Sequence, residues 1–148
     1  MTDTNANRSD VPRRISILGS TGSIGCSTID LIERDRDAYR VEALTANRSV
    51  EALAEQARRL DAQFVAVADA DKYNELKLAM SDSAAEIAAG PEAIVEAAAR
   101  GADWVMAGIV GAAGLEPTLE AARQGAVVAF ANKECLVCAG DLMLDEIS

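Results

Sequence analysis

The chain has 148 residues, half of them hydrophobic and 3% aromatic, with 14 basic against 24 acidic side chains and a formal charge of −10. That length suits one domain with a buried core and leaves no room for a second full one. The acidic balance, with basic residues that form no stripe, argues against nucleic acid or an anionic membrane as the main partner.

No apolar run approaches the roughly 18 residues of a membrane span. Residues 1–10 are polar, without the hydrophobic stretch of a signal peptide. The expectation is a cytoplasmic protein with a disordered start, 1–12, followed by one domain over 13–148. The three cysteines, Cys26, Cys135 and Cys138, suit a reducing compartment. Cys135 and Cys138 have C-x-x-C spacing, but there is no second pair and the chain contains no histidine to complete a zinc site.

The first predicted strand, 14–18, runs into glycines at 19, 22 and 25 and then into a helix over 23–34. A glycine-rich turn between a strand and a helix lets backbone N–H groups and the helix N-terminus face an anion. By analogy with the dinucleotide fingerprint, Gly19 makes the tight turn and Gly22 lets a pyrophosphate approach. Gly25 then lets the helix press against the sheet. The G-x-x-G-x-x-G spacing differs from the commoner G-x-G-x-x-G, so a purely structural glycine turn stays open. Thr21 and Ser23 add hydroxyl donors inside the loop.

A second strand, 39–45, precedes a helix whose apolar positions Val50, Leu53, Ala54, Ala57 and Leu60 recur at three and four residues, so one face is buried. Between them lies Ala46-Asn47-Arg48-Ser49. An NAD-specific site usually places a carboxylate there. A guanidinium flanked by amide and hydroxyl donors instead suits a 2′-phosphate, which favours NADP. The alternative is a solvated arginine before a helix capped by Asn47 or Ser49.

Further on, the pattern gives a strand at 64–68, a helix at 71–80, a short strand at 86–89, and a helix from Pro91 to about Arg100. A fifth strand, 103–107, enters the almost wholly apolar segment 107–114, which fits either a tightly packed turn or a surface covered by a flat apolar group. A helix to Gln124, a strand at 126–130 and a last helix from about Cys135 complete the order. Ala131-Asn132-Lys133-Glu134 is a dense polar cluster after a buried strand. It suits contacts to cofactor and an anionic substrate, and equally a plain helix start. The alternation specifies an α/β fold: a doubly wound, mainly parallel, Rossmann-like sheet with helices on both faces.

Three motifs together are more specific. Ile-Leu-Gly-Ser-Thr-Gly-Ser-Ile-Gly (17–25), Val-Met-Ala-Gly-Ile-Val-Gly-Ala-Ala-Gly-Leu-Glu-Pro-Thr (105–118) and Ala-Asn-Lys-Glu (131–134) with Leu136 and Val137 resemble the deoxyxylulose-phosphate reductoisomerase family in order, spacing and wording. The resemblance runs from about Arg13 to the end. It implies an enzyme that rearranges 1-deoxy-D-xylulose 5-phosphate and reduces the product with NADPH to 2-C-methyl-D-erythritol 4-phosphate for isoprenoid synthesis. It further implies a homodimer that needs Mg²⁺ or Mn²⁺.

By motif, the resemblance assigns Thr21, Gly22, Ser23 and Ile24 to the NADPH phosphates and their surroundings, and Asn47, Arg48 and Ser49 to the 2′-phosphate. Many members carry a Gly-Lys-Asn-like trio at this last place, so Arg48 matches better than its neighbours. Gly108 and Ile109 would lie near the nicotinamide, Asn132 and Glu134 would contact the cofactor, and Lys133 would reach the substrate. The family continues into a metal-binding Asp-Ser-Glu segment and a catalytic region that this sequence does not contain. The expectation is therefore the N-terminal cofactor domain of a longer enzyme, binding NADPH without turnover, with no catalytic residue or metal ligand of its own. Two other readings are the cofactor domain of a different NADP-dependent reductase and a free-standing NADP(H)-binding regulatory module.

Overall fold

The computed structural model describes residues 11–109 and 112–130. The strands are β1 (Arg13–Leu18), β2 (Tyr39–Ala46), β3 (Phe64–Val67), β4 (Glu86–Ala89), β5 (Trp104–Ala107) and β6 (Val127–Phe130). Between them run α1 (Ser23–Arg34), α2 (Val50–Leu60), α3 (Tyr73–Ala79), α4 (Pro91–Ala98) and α5 (Leu115–Arg123). All strand pairs are parallel, in the order β4-β3-β2-β1-β5-β6. The chain therefore steps outward from β1 to β4, then crosses back over the sheet through α4 to place β5 on the other side of β1. Such a reversal opens a crevice at the carboxyl ends of the two strands that flank it, here β1 and β5.

The two faces of the sheet carry separate cores. On one, Ile15 and Ile17 of β1 pack with Val41, Leu44, Val65 and Val67 against Ile29 and Ile32 of α1, Leu53 and Leu60 of α2 and Leu76 of α3. On the other, Leu18, Ala43, Phe64 and Val105 pack against Ala93, Ile94 and Ala97 of α4 and Ala121 of α5. Alanine predominates on the α4 side, where small side chains let the crossing helix lie close to four strands, β1 to β4. Period-2 alternation explains which β1 residue joins which face.

Val41 and Leu44 share a face although they lie an odd number of positions apart, which in a regular strand would put them on opposite faces. The register explains it: Ile15 pairs with Val41 but Ser16 with Ala43, so Glu42 is an extra residue in β2 and the pleat changes phase there. The bulge leaves the Glu42 carboxylate for Arg100, whose Nε lies 3.6 Å away and whose guanidinium stacks 4.7 Å above the Phe64 ring. On the surface, Arg59 of α2 holds Glu33 of α1 through two contacts of 2.8 and 3.2 Å. The Glu33 hydrogen bonds raise the pKa of Arg59 above its already high ordinary value.

Most of the predicted elements are present to within a residue or two. The expected helix 71–80 instead opens as a 3-10 turn, Ala70–Lys72, because the Asp69 carboxylate accepts the Asp71 N–H and tightens that turn. Similarly α4 ends at Ala98, short of Arg100, where Ala99 N–H bonds back to Val95 and Glu96 and Gly101 follows at φ +76°. The expected final helix from Cys135 lies outside the described residues, as do Val110 and Gly111.

Candidate functional site

The crevice is built where β1 and β5 end. Gly19 leaves β1 at φ +82°, a conformation that disfavours a side chain, and a Cβ on it would stand 3.0 Å from the Gly108 carbonyl oxygen. Gly108 in turn would meet the Leu18 carbonyl oxygen at 2.9 Å, and its N–H donates to that same oxygen at 2.8 Å. The loops after the two strands thus touch backbone to backbone, with no side chain between them. Gly108 and Ile109, expected near a nicotinamide, lie at this seam, where Ile109 is half-buried against the α4 side of the core. At Gly108 the backbone contacts are those of a tightly packed turn.

The turn itself is held from the α2 side. Gly19 N–H donates to Thr45 Oγ1 at 3.0 Å and Ser20 N–H to the Thr45 carbonyl at 2.8 Å. The buried Ser20 hydroxyl donates to Gln56 Oε1 at 2.8 Å, while Gln56 Nε2 donates to the Ser20 carbonyl at 3.1 Å. Ser20, Thr45 and Gln56 are buried and mutually satisfied, so they fix the loop instead of facing a ligand. Replacing Thr45 with valine leaves the Gly19 N–H without its acceptor. The expected loss is about 2 kcal/mol in urea unfolding, and a change below about 0.5 kcal/mol would show that this contact does not hold the loop.

Gly25 departs from its expected role. A Cβ there would lie 2.5 Å from the Gly19 carbonyl oxygen, Ser20 Cα and the Ser20 carbonyl oxygen, so α1 presses on the loop itself and not on the sheet. Gly22 differs again. It is the N-cap of α1 at φ −78° and ψ 176°, makes no side-chain cap, and a Cβ would meet only the Gly19 carbonyl oxygen at an ordinary 3.6 Å.

The first N–H groups of α1 lack intrahelical acceptors, since the first helical bond runs from Cys26 N–H to the Gly22 carbonyl. They point out of an exposed stretch in which Thr21 is half-buried and Gly22, Ser23 and Ile24 are exposed. The Thr21 and Ser23 hydroxyls make no hydrogen bond to a described residue. Helix dipole, free N–H groups and free hydroxyls converge on one open place, an arrangement suited to a phosphate. Cys26 sits just behind it, exposed, its thiol 3.7 Å from the Thr21 carbonyl oxygen.

Beside this, the turn after β2 exposes Asn47, Arg48 and Ser49. Ser49 is the N-cap of α2 but forms no side-chain cap bond, so the expected capping role is absent for it. Arg48 Nε lies 3.3 Å from Asp69 Oδ2, and its terminal nitrogens make no hydrogen bond to a described residue. Asn132, Lys133 and Glu134 lie outside the described residues; β6 ends just before them, at Phe130, on the same edge of the sheet.

Sequence reasoning did not single out Ser20, Thr45, Gln56 or Asp69. Two of them left a signal. Thr45 is a hydroxyl within the otherwise apolar last four residues of β2, Ala43–Ala46, and Gln56 is a polar residue inside the apolar stripe of α2, between Leu53 and Leu60.

The family model for 1-deoxy-D-xylulose 5-phosphate reductoisomerase matches residues 15–140. The chain belongs to this family. A reductoisomerase from Rhodospirillum centenum is 60% identical over 135 residues, which cover 91% of this chain and 34% of that protein. Among solved structures, the Zymomonas mobilis reductoisomerase in complex with NADPH superimposes with a TM-score of 0.90 at 57% identity, covering 92% of this chain and 36% of that one. A reductoisomerase in complex with NADPH, fosmidomycin and magnesium gives 0.87 at 38% identity, with 91% and 34% covered. The chain thus spans about a third of the length of the reductoisomerases it matches. The matched region contains all three motifs, and the shared fold includes the crevice between β1 and β5.

Proposed function

We propose that the chain is the NADPH-binding domain of an enzyme that isomerises and reduces 1-deoxy-D-xylulose 5-phosphate to 2-C-methyl-D-erythritol 4-phosphate. The observation that carries this reading is the uncapped N-terminus of α1, opening at the β1–β5 switch point beside Arg48, whose terminal nitrogens bond no described residue. In it, the N–H groups and hydroxyls of Thr21, Gly22 and Ser23 bind the pyrophosphate, with the apolar side chain of Ile24, 46% exposed, at its margin. Asn47, Arg48 and Ser49 take the 2′-phosphate through charge-assisted hydrogen bonds.

Gly108 and Ile109 form the floor towards the nicotinamide. Asn132 and Glu134 hold the cofactor from the β6 side, and Lys133 meets the sugar phosphate. NADPH, when bound, supplies the hydride for the reduction. The whole enzyme, on this reading, is a cytoplasmic homodimer that also uses Mg²⁺ or Mn²⁺ and has neither a nucleic-acid nor a membrane partner. No helix among the described residues is long and apolar enough to cross a membrane.

Calorimetric titration of the 148-residue chain with NADPH and with NADH tests the binding part. NADPH is expected to bind at least tenfold tighter, about 1.4 kcal/mol. Equal affinities would remove the 2′-phosphate assignment, and no binding by a folded sample would remove the cofactor reading for this chain.

A further inference from the structure

We propose that Asp69 is a positioning residue for cofactor choice, holding Arg48 by its Nε so that the guanidinium's two terminal nitrogens stay available to a 2′-phosphate. The inference rests on the NADPH reading above and adds to it a residue from the loop after β3.

The backbone brings the two loops together. Beyond the end of the β2–β3 ladder, Ala68 N–H donates to the Ala46 carbonyl at 2.9 Å and Asp69 N–H to the Asn47 carbonyl at 3.0 Å. Parallel pairing thus continues past both strands and carries Asp69 alongside the Asn47–Arg48 turn. The carboxylate is then oriented by its own loop, because Oδ1 accepts the Asp71 N–H at 3.0 Å. Oδ2 remains for Arg48 Nε at 3.3 Å. The anion is the anchored partner and the cation the free one: the Asp69 side chain is 24% exposed and that of Arg48 68%.

A carboxylate near a phosphate site has two opposed effects. It repels the phosphate, and it can order the cation that attracts it. An arginine carries considerable side-chain entropy, which binding has to remove. An anion on the Nε side removes part of it beforehand and leaves the Nη1–Nη2 edge, the one suited to bidentate phosphate contact, without a hydrogen bond to a described residue. Had Asp69 taken the terminal nitrogens instead, it would compete with the phosphate. The contact through Nε makes ordering the larger effect.

The two effects have opposite signs, which makes the test decisive. Calorimetry on the 148-residue chain, Asp69→Asn, Arg48→Ala and the double variant reads the ratio of NADPH to NADH affinity. Asparagine still accepts the Asp71 N–H through its amide oxygen, so the loop is kept. Circular dichroism and the midpoint of urea unfolding check that the fold is unchanged. The expected result is a preference for NADPH that falls at least threefold in Asp69→Asn, with NADH affinity within twofold of the parent. In the Arg48→Ala background, Asp69→Asn is expected to lower the ratio no further.

If Arg48→Ala lowers the ratio while Asp69→Asn leaves or raises it, the positioning role is overturned and the NADPH reading stands. A further fall in the double variant would also overturn it, by showing that Asp69 acts without Arg48. A parent chain without preference would overturn both.

Discussion

Gly25→Ala is expected to destabilise the fold by about 3 kcal/mol, a fall in melting temperature of about 10 °C. In an ordinary helix this exchange stabilises, since alanine is the better helix former by about 1 kcal/mol. Here the new methyl carbon would lie 2.5 Å from three backbone atoms of Gly19 and Ser20. Those atoms cannot move aside cheaply, because Gly19 N–H and Ser20 N–H are bonded to Thr45 and the Ser20 carbonyl to Gln56. Either α1 lifts off the loop or the loop tears from β2 and α2, losing buried hydrogen bonds worth about 1–3 kcal/mol each when left unmade. Thermal unfolding followed by circular dichroism measures the effect. An unchanged or higher midpoint would mean that α1 and the loop do not meet as described.

Gly22→Ala should do the reverse, sparing stability and weakening NADPH binding. Its φ of −78° is open to any residue, and its Cβ would find only one atom, at 3.6 Å. The exchange at the N-cap should therefore change stability by less than about 1 kcal/mol. On the proposed reading, however, the absent side chain is what lets a pyrophosphate reach the N-terminus of α1. NADPH affinity should then fall at least tenfold, about 1.4 kcal/mol, as read by calorimetry on a sample whose unfolding midpoint is unchanged. Retained affinity would place the phosphate away from Gly22. Two glycines three positions apart in one motif thus separate: Gly25 serves the fold and Gly22 the ligand.

That separation shows where sequence stops being informative. The motif announces a turn and a helix, and the alternation of apolar runs announces six strands, because both follow from local periodicity and from backbone freedom at glycine. Which backbone each glycine approaches is a tertiary matter. Gly25 was expected against the sheet and lies against its own loop, while Gly19 meets Gly108 from a distant strand. The bulge at Glu42 is equally hidden, since it exists only in the register of β2 against β1.

The Ser20–Gln56 contact joins residues 36 positions apart. Only the polar interruption of the α2 stripe hints at it. Arg48 is conspicuous in the sequence because it stands where a carboxylate is usual. Asp69 is not, because its relation to Arg48 comes from the β2–β3 pairing continued beyond the strands. The expectation for residues 131–134 rests on motif alone, since they lie outside the described residues.

On the proposed reading, NADPH binds in the crevice between β1 and β5 and reaches across the carboxyl end of β2. Amide NMR spectra of the isotope-labelled chain, recorded as NADPH is added, test it residue by residue. The largest shifts are expected at residues 20–26, 46–49 and 108–109, with NADH reproducing those of the first and last groups but not those around Arg48. Shifts confined to the opposite edge of the sheet, near Pro12, Tyr39 and Trp104, or no saturable shifts at all, would contradict it.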